Sequence, residues 1–520
     1  MMKRIGTLLL FVFHFLSSSA QSSKNLNLLS SLIAGQTLAG CWHYDAANGK
    51  EYALLGGANG IIIVDITVPS SPVIVTQLPG VSSLWHEIKV QGDYAYAVSE
   101  GLDATGILNG MQIIDLRYLP DSVPNKFYRG DISFPAPLDK AHSITTSGHY
   151  VFVNGHNITA WNRGVIILDI ADPWNPIYVS NINHAYCHDS YVRGNMIIAS
   201  ELAQFAIFDI SNPALPNLLA TQTTPANFNH NAWLSDNGNF LFATDERTNA
   251  PLSSFDVSNL GNIALIDTFF NGNFTSNEVH NVRVFNDFLI CPSYGSQLTL
   301  VDAYRPANMI EVGNYTTGSS LCWDADPYTN SGNLIATDMN SGTFYLFAPT
   351  YRRGCYLEGN VIDSITSANL FGVDVSFQAL SVSCKSDLLG NYKTGYADSG
   401  TYVVNFVKSG YYNKSITVNL SNGNLTTLNV EMVPIGQSVS TLNSQDISIY
   451  PNPSNESINI KSPLNSFEYI IYNSIHQKVF GGQSGSSEIS VNTKNWPSGT
   501  YVVEVLNSTQ TFKRNISIIH

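Results

Sequence analysis

The stretch Gly164-Val-Ile-Ile-Leu-Asp169-Ile170-Ala-Asp172-Pro173-Trp-Asn-Pro176 decides the fold. Its apolar run is too short for a helix and too apolar for a loop, so it reads as a buried strand. Asp169 ends it, and the Pro-rich turn behind it starts an outer strand, where proline costs no ladder hydrogen bond. Upstream lie His142-Ser-Ile144 and Gly148-His-Tyr-Val-Phe-Val153, two further short strands joined by a glycine turn. Copies occur on either side: Gly60-Ile-Ile-Ile-Val-Asp65-Ile66 with Pro69 and Pro72, and Ala206-Ile-Phe-Asp209-Ile210 with Pro213 and Pro216. The Asp recurs as Asp115, Asp256 and Asp302, whereas the seventh unit has Phe347 there.

Units of about forty-five residues with four short strands each are the signature of a β-propeller. Each small twisted sheet leaves two apolar faces that only its neighbours can cover, so the units must close into a ring. Seven units fit between about Gln36 and Pro349. The fold class expected is all-β: a seven-bladed β-propeller followed by two small β-sandwich domains.

The Ile-Ile-Val-Asp-Ile and Ile-Ile-Leu-Asp-Ile cores resemble the LVIVD repeat, and the amino-terminal region resembles the choice-of-anchor B family of bacterial surface proteins. That resemblance implies a propeller and no particular reaction. Further on, Gly359-Asn-Val-Ile-Asp363, Gly372-Val-Asp-Val-Ser-Phe377 and Ser399-Gly-Thr-Tyr-Val-Val404 resemble a carboxypeptidase regulatory-like, transthyretin-like sandwich, without the zinc ligands of the peptidase. The last segment, from Tyr450-Pro-Asn-Pro453 to Gly499-Thr-Tyr-Val-Val-Glu-Val505, resembles the type IX secretion sorting domain, type A, of Bacteroidota. This implies the type IX machinery as a partner and export across the outer membrane, with attachment to surface lipopolysaccharide. The resulting division is a signal peptide over residues 1–20, the propeller over 21–351, the regulatory-like sandwich over 352–436 and the sorting sandwich over 437–520.

Met1 to Arg4 carry two cations, Ile5 to Leu16 are mostly apolar, and Ser17-Ser-Ser-Ala20 supplies a small-residue cleavage site. This is the pattern of a secretory signal, too short to span a bilayer. No later segment reads as a transmembrane helix. With 25 Lys and Arg against 39 Asp and Glu, a net charge of -14 argues against nucleic acid as a partner, since that needs a basic face. The six cysteines would sit in an oxidising compartment. Cys355 with Cys384 is the favoured pair, a Cys41–Cys322 link is an option, and Cys187 and Cys291 read as buried small hydrophobes.

The chemically suggestive feature is a second repeated landmark: His43, His86, His142, His188, His230 and His280, with Asp324 in the seventh place by alignment on the preceding Trp. Each precedes the strand expected to be innermost, so the side chains would converge at one channel mouth. Glu100, Glu201, Asp245, Glu246 and Asp338 recur at the far end of the next strand, with His156 in an equivalent place. Imidazole and carboxylate together form the donor set that zinc, copper or iron takes, so a transition metal is the cofactor class this reading admits. The competing reading is structural: a repeated His paired with a repeated Asp would brace each blade, and repetition favours bracing over catalysis. No catalytic residue is assigned. The leading function is a surface binding or display module for a protein, glycan or nutrient. The alternative is a metal-dependent extracellular enzyme using the His and acid ring, with the longer insertions Gly101 to Gly110 and Leu119 to Asp139 walling one side.

Overall fold

The computed structural model describes residues 23–270, 278–295, 297–317, 321–435, 447–463, 466–506 and 511–520. The expected signal peptide and nearly all of the polar linker before the sorting segment lie outside them. Among the described residues the chain is all-β, apart from one turn of 3-10 helix at Thr159–Trp161. Among the described residues no helix is long and apolar enough to cross a membrane.

Among the described residues seven sheets follow one another through the β-propeller. Their inner strands are Leu38–Asp45, His86–Gln91, Ser143–Ser147, Asp189–Arg193, Asn229–Leu234, the pair Glu278–Val279 and Arg283–Phe285, and Cys322–Asp326, and from the second sheet to the sixth they begin at or beside a histidine landmark. The inner strand of each sheet packs on its neighbours, and Cys322–Asp326 packs on Leu38–Asp45, which closes the ring. The outermost strand of the last sheet is Leu26–Ile33 from the amino-terminal end, paired with Thr343–Pro349. That pairing explains Phe347. In the other sheets the third strand must turn into its own fourth strand, and here the fourth strand comes from elsewhere, so no turn residue is needed.

The turn Asp acts locally. Asp65, Asp115, Asp169, Asp209, Asp256 and Asp302 each accept a hydrogen bond from the backbone N–H two residues on, at 2.7–3.1 Å. These Asx turns hold the start of the outer strand. From the second sheet to the sixth they lie at the opposite end from the histidines, because the third strand runs parallel to the first: Ser143 pairs with Asn154, and Asp169 with Tyr150; in the first sheet His43 bonds to Asp326 and not to Asp65. Bracing of the repeated His by the repeated Asp of the same blade therefore does not occur.

The core lies between sheets, as closure requires. Val98 and Ile113 pack with Val151, Val153, Ile166 and Leu168, and Phe152 and Ile167 pack with Ile197, Ala206 and Phe208. Each such side chain contributes roughly 2 kcal/mol by leaving water.

Behind the propeller, Cys355–Asp363, Asn391–Tyr396, Leu425–Thr427 and Val430–Met432 form one sheet, and Ser383–Lys385, Asp374–Phe377, Gly400–Val407 and Lys414–Leu420 form another. Asp302 ties this sandwich to the propeller. Its carboxylate accepts from the Tyr356 hydroxyl at 2.6 Å, the Gly354 N–H at 2.7 Å and Arg353 Nη1 at 2.8 Å. All six cysteines are unbridged. The expected Cys355–Cys384 pair is absent because the two residues sit on different sheets, Cys355 opposite Tyr396 and Cys384 opposite Val375. Cys41 and Cys322 are each buried as thiols, as are Cys187 and Cys291.

The last segment forms a unit of its own. Ser448–Tyr450, Ser457–Lys461 and Glu488–Asn492 make a three-stranded sheet, and Phe467–Tyr472, Lys478–Ser484, Gly499–Leu506 and Thr511–Ile518 a four-stranded one. Alternating residues such as Ile458, Ile460, Tyr469, Ile471, Val503 and Val505 fill the space between them.

Candidate functional site

Four of the six histidines converge. His142, His188 and His280 sit just ahead of an inner-strand segment, and their backbone N–H groups bond to the end of the second strand, at Asn154, Ser200 and Pro292 respectively. His230 is the extra residue of a bulge between Asn229 and Asn231. Anchored this way, the rings form a row: His142 to His188 is 3.8 Å between centroids, His188 to His230 is 4.3 Å, and His230 to His280 is 4.1 Å. Tyr294 stacks on His280 at 4.6 Å, and Trp323 ends the row 4.4 Å beyond it.

The nitrogen atoms divide into held and free. His142 Nδ1 pairs with Glu100 Oε1 at 2.8 Å, and His280 Nδ1 faces the Trp323 carbonyl at 2.7 Å. A hydrogen bond at one nitrogen fixes the tautomer and leaves the other as a lone-pair donor, the arrangement found behind metal-bound imidazoles. His280 Nε2, His188 Nδ1 and His230 Nδ1 are buried with no hydrogen-bond partner. Glu246 approaches from the neighbouring loop, with one oxygen 3.8 Å from His230 Nε2 and the other 3.8 Å from His280 Nε2. These gaps are too long for hydrogen bonds and would admit an ion. Donor atoms of His142, His188 and His230 lie within 4.8 Å of one another, as do those of His230, Glu246 and His280.

Electrostatics keeps His188, His230 and His280 neutral. Burial, reinforced by the neighbouring rings, holds His188 and His230 well below the usual histidine range. Burial takes His280 down to about 3. Burial, with the nearby Glu278 charge, pushes the Glu246 carboxyl up to about 7. Three rings of unprotonated nitrogen donors beside an under-solvated carboxylate make a site short of positive charge, which is what a divalent transition metal supplies.

The remaining sequence candidates go elsewhere. Glu201 binds His184 Nδ1 at 2.8 Å rather than His188. Asp245 braces its own loop, accepting from the Thr224 hydroxyl at 2.5 Å and from the N–H groups of Ala226 and Phe228 at 2.9 Å. Asp338 accepts from Ser341. His156 is buried away from the row, beside Trp161. His86 is buried alone, hydrogen-bonded to the Gly57 backbone and lowered to about 4 by burial. His43 lies near the other end of its strand. Its Nδ1 is 2.7 Å from Asp326 Oδ2, an ion pair that lifts its pKa despite burial. Asp324 is consumed by Arg283 Nη2 at 2.9 Å, Asn281 at 3.1 Å and the Cys41 N–H at 3.3 Å. At the bulge of the seventh sheet, where His230 sits in the fifth, stands Trp323. Ala39 lies beside it in the first sheet, with Met339, Trp85, Tyr294 and Leu321 packed around them. The ring is thus an arc of four imidazoles facing an apolar arc. Sequence reasoning included Glu246 only as one acid of a series, and its role as the carboxylate shared by two histidines has no sequence signal beyond that.

Residues 448–519 match the secretion system C-terminal sorting domain, and residues 49–78, 139–184 and 191–224 match the LVIVD repeat. No curated protein matches the chain. Among solved structures the chain is similar to the β-propeller domain of Cps50 (Swd1) from Myceliophteria thermophila, at 13% identity over 62% of this chain and 100% of that one, with a TM-score of 0.44. It is also similar to a candidate 6-phosphogluconolactonase from Bacteroides uniformis, at 12% identity over 61% of this chain and 96% of that one, with a TM-score of 0.44. The chain carries LVIVD repeats in a β-propeller and a type IX sorting domain, and it is exported across the outer membrane to the cell surface.

Proposed function

We propose that the propeller is a surface-displayed binding module that holds a divalent transition metal, zinc or copper, at one mouth of its channel. His188, His230, His280 and Glu246 would be the ligands, with His142 completing the set from the adjoining blade. The observation that carries this reading is the cluster of buried imidazole nitrogens without hydrogen-bond partners around one carboxylate. Buried polar atoms rarely stay unpaired, and a metal would satisfy several at once. Export places the site where extracellular metal is met. The domain following the propeller would be a regulatory-like spacer over 352–436, and residues 437–520 the segment read by the secretion machinery before attachment to lipopolysaccharide.

Calorimetric titration of metal-free mature protein with Zn2+ and with Cu2+ tests this. The expected result is saturable binding that His230→Ala weakens by about two orders of magnitude and His86→Ala leaves intact. Equal loss in both variants, or none in either, would refute it.

A further inference from the structure

Glu246 is the one carboxylate among the ligands named above, and it stands on a loop. It is the first residue past the strand Phe240–Asp245, its backbone N–H bonds to the Phe228 carbonyl at 3.0 Å, and its side chain is 23% exposed. The charge of Glu278 bears on it from the neighbouring blade. Glu278 is itself kept in place, accepting the Thr248 hydroxyl at 3.1 Å. Like charges repel, so a half-exposed glutamate on a flexible stem would swing toward water unless a donor held it.

Tyr294 supplies that donor. Its hydroxyl is hydrogen-bonded to the Glu246 carboxylate. The same side chain touches a second ligand, since its ring stacks on His280 at 4.6 Å with 27° between the planes. Tyr294 thus contacts one ligand from the fifth blade and one from the sixth.

Its own backbone is pinned on both sides. Tyr294 is the last residue of the strand Phe288–Tyr294, paired with Glu278 on one flank and bridged to Leu321 on the other. Two residues earlier on that strand, the Pro292 carbonyl accepts the His280 N–H at 3.0 Å. One strand end therefore anchors the imidazole and presents the phenol that packs on it. A supporting residue fixed in this way can hold two ligands in register.

We propose that Tyr294 is a positioning residue of the metal site: its hydroxyl holds one oxygen of Glu246, so that the other is left for the ion, while its ring keeps the His280 imidazole from turning. This rests on the metal reading above. A phenol has one proton to donate, so it engages a single carboxylate oxygen and leaves the second as a ligand atom. Losing an orienting partner of this kind costs metal sites about 10–100-fold in affinity.

Calorimetric Zn2+ titration of the mature protein tests this in a double-mutant cycle of Tyr294→Phe and Glu246→Ala, with folding of each variant checked by circular dichroism. Tyr294→Phe keeps the ring on His280 and removes only the hydroxyl. It should weaken Zn2+ about tenfold in the wild-type background and less than about twofold once Glu246 is gone, because the two residues act as a unit. Loaded with Cu2+, Tyr294→Phe should also show an electron paramagnetic resonance spectrum shifted from that of wild type. Wild-type affinity in Tyr294→Phe, or the same loss in both backgrounds, would overturn the inference and leave the metal reading standing. A phenolate-to-copper absorption band in the wild type that Tyr294→Phe lacks would overturn it too, by making Tyr294 a ligand. Failure of the wild type to take up either ion would overturn both.

Discussion

The two sides of the channel mouth share a repeat and differ in what they do with it. From the third to the sixth sheet, His142, His188, His230 and His280 stack into a row whose free nitrogens face one another and Glu246. In the first, second and seventh sheets the same landmark is dispersed: His43 is ion-paired to Asp326, His86 is buried by itself, and Asp324 neutralises Arg283. One side gathers its unpaired imidazole nitrogens in one place, and the other spends His43 and Asp324 on charged partners and leaves His86 Nδ1 unpaired by itself. The difference teaches that a repeated residue type is not a repeated role. Where the partner is a charged side chain the residue is architecture, and where several unpaired nitrogens face one another they are available for a ligand.

The largest effect expected is on the spent side. Asp324→Ala would leave the fully buried Arg283 without its counter-charge, and losing one member of such a pair costs about 3–5 kcal/mol. Chemical denaturation should show that loss. If Asp324→Ala melts like wild type, the pair is not the brace described here.

Acid sharpens the same contrast. His86 has an ordinary value of 6.5 unfolded and is lowered to about 4 in the fold by burial. Between those values the unfolded chain binds more protons, so stability is fully present above 6.5 and is lost as pH falls toward 4. The gap is worth about 3 kcal/mol at most. His86→Gln should flatten that acid limb of the stability curve, and an unchanged slope would place the ring in water.

On the unspent side the readout is metal rather than stability. His188→Ala and His230→Ala should each weaken Zn2+ by about two orders of magnitude, equivalent to about 2.7 kcal/mol. His43→Ala should leave affinity within a fewfold while lowering stability. The smallest effect belongs to Glu100, which holds His142 at Nδ1. Glu100→Gln should reduce affinity by about tenfold through the orientation of that ring. A full loss would make Glu100 a ligand itself.

The architecture was legible because the short apolar runs, the glycine turns and the Asp before each outer strand are local signals that the fold uses locally. Phe347 was equally informative, since its sheet borrows Leu26–Ile33 and needs no turn there. The site was less legible because spacing along an inner strand is broken by bulges. Register shifts fall between Leu38 and Cys41, between Asn229 and Asn231, and between Cys322 and Asp324. Each extra residue moves the following side chains along the channel. Alignment on the preceding Trp therefore placed His43 and Asp324 in the ring, whereas Trp323 occupies the bulge in the seventh sheet and His43 lies farther along its strand. Nor could sequence show that Cys355 and Cys384 stay apart, since their places on different sheets of the sandwich depend on strand order.

The most direct measurement is the metal content of mature protein purified without chelator and without added metal, read by elemental analysis alongside the His188→Ala/His230→Ala double variant. The account predicts close to one zinc or copper per wild-type chain and none in the variant. Metal-free wild-type protein that also fails to take up either ion on titration, or a variant that retains its full complement, would contradict it.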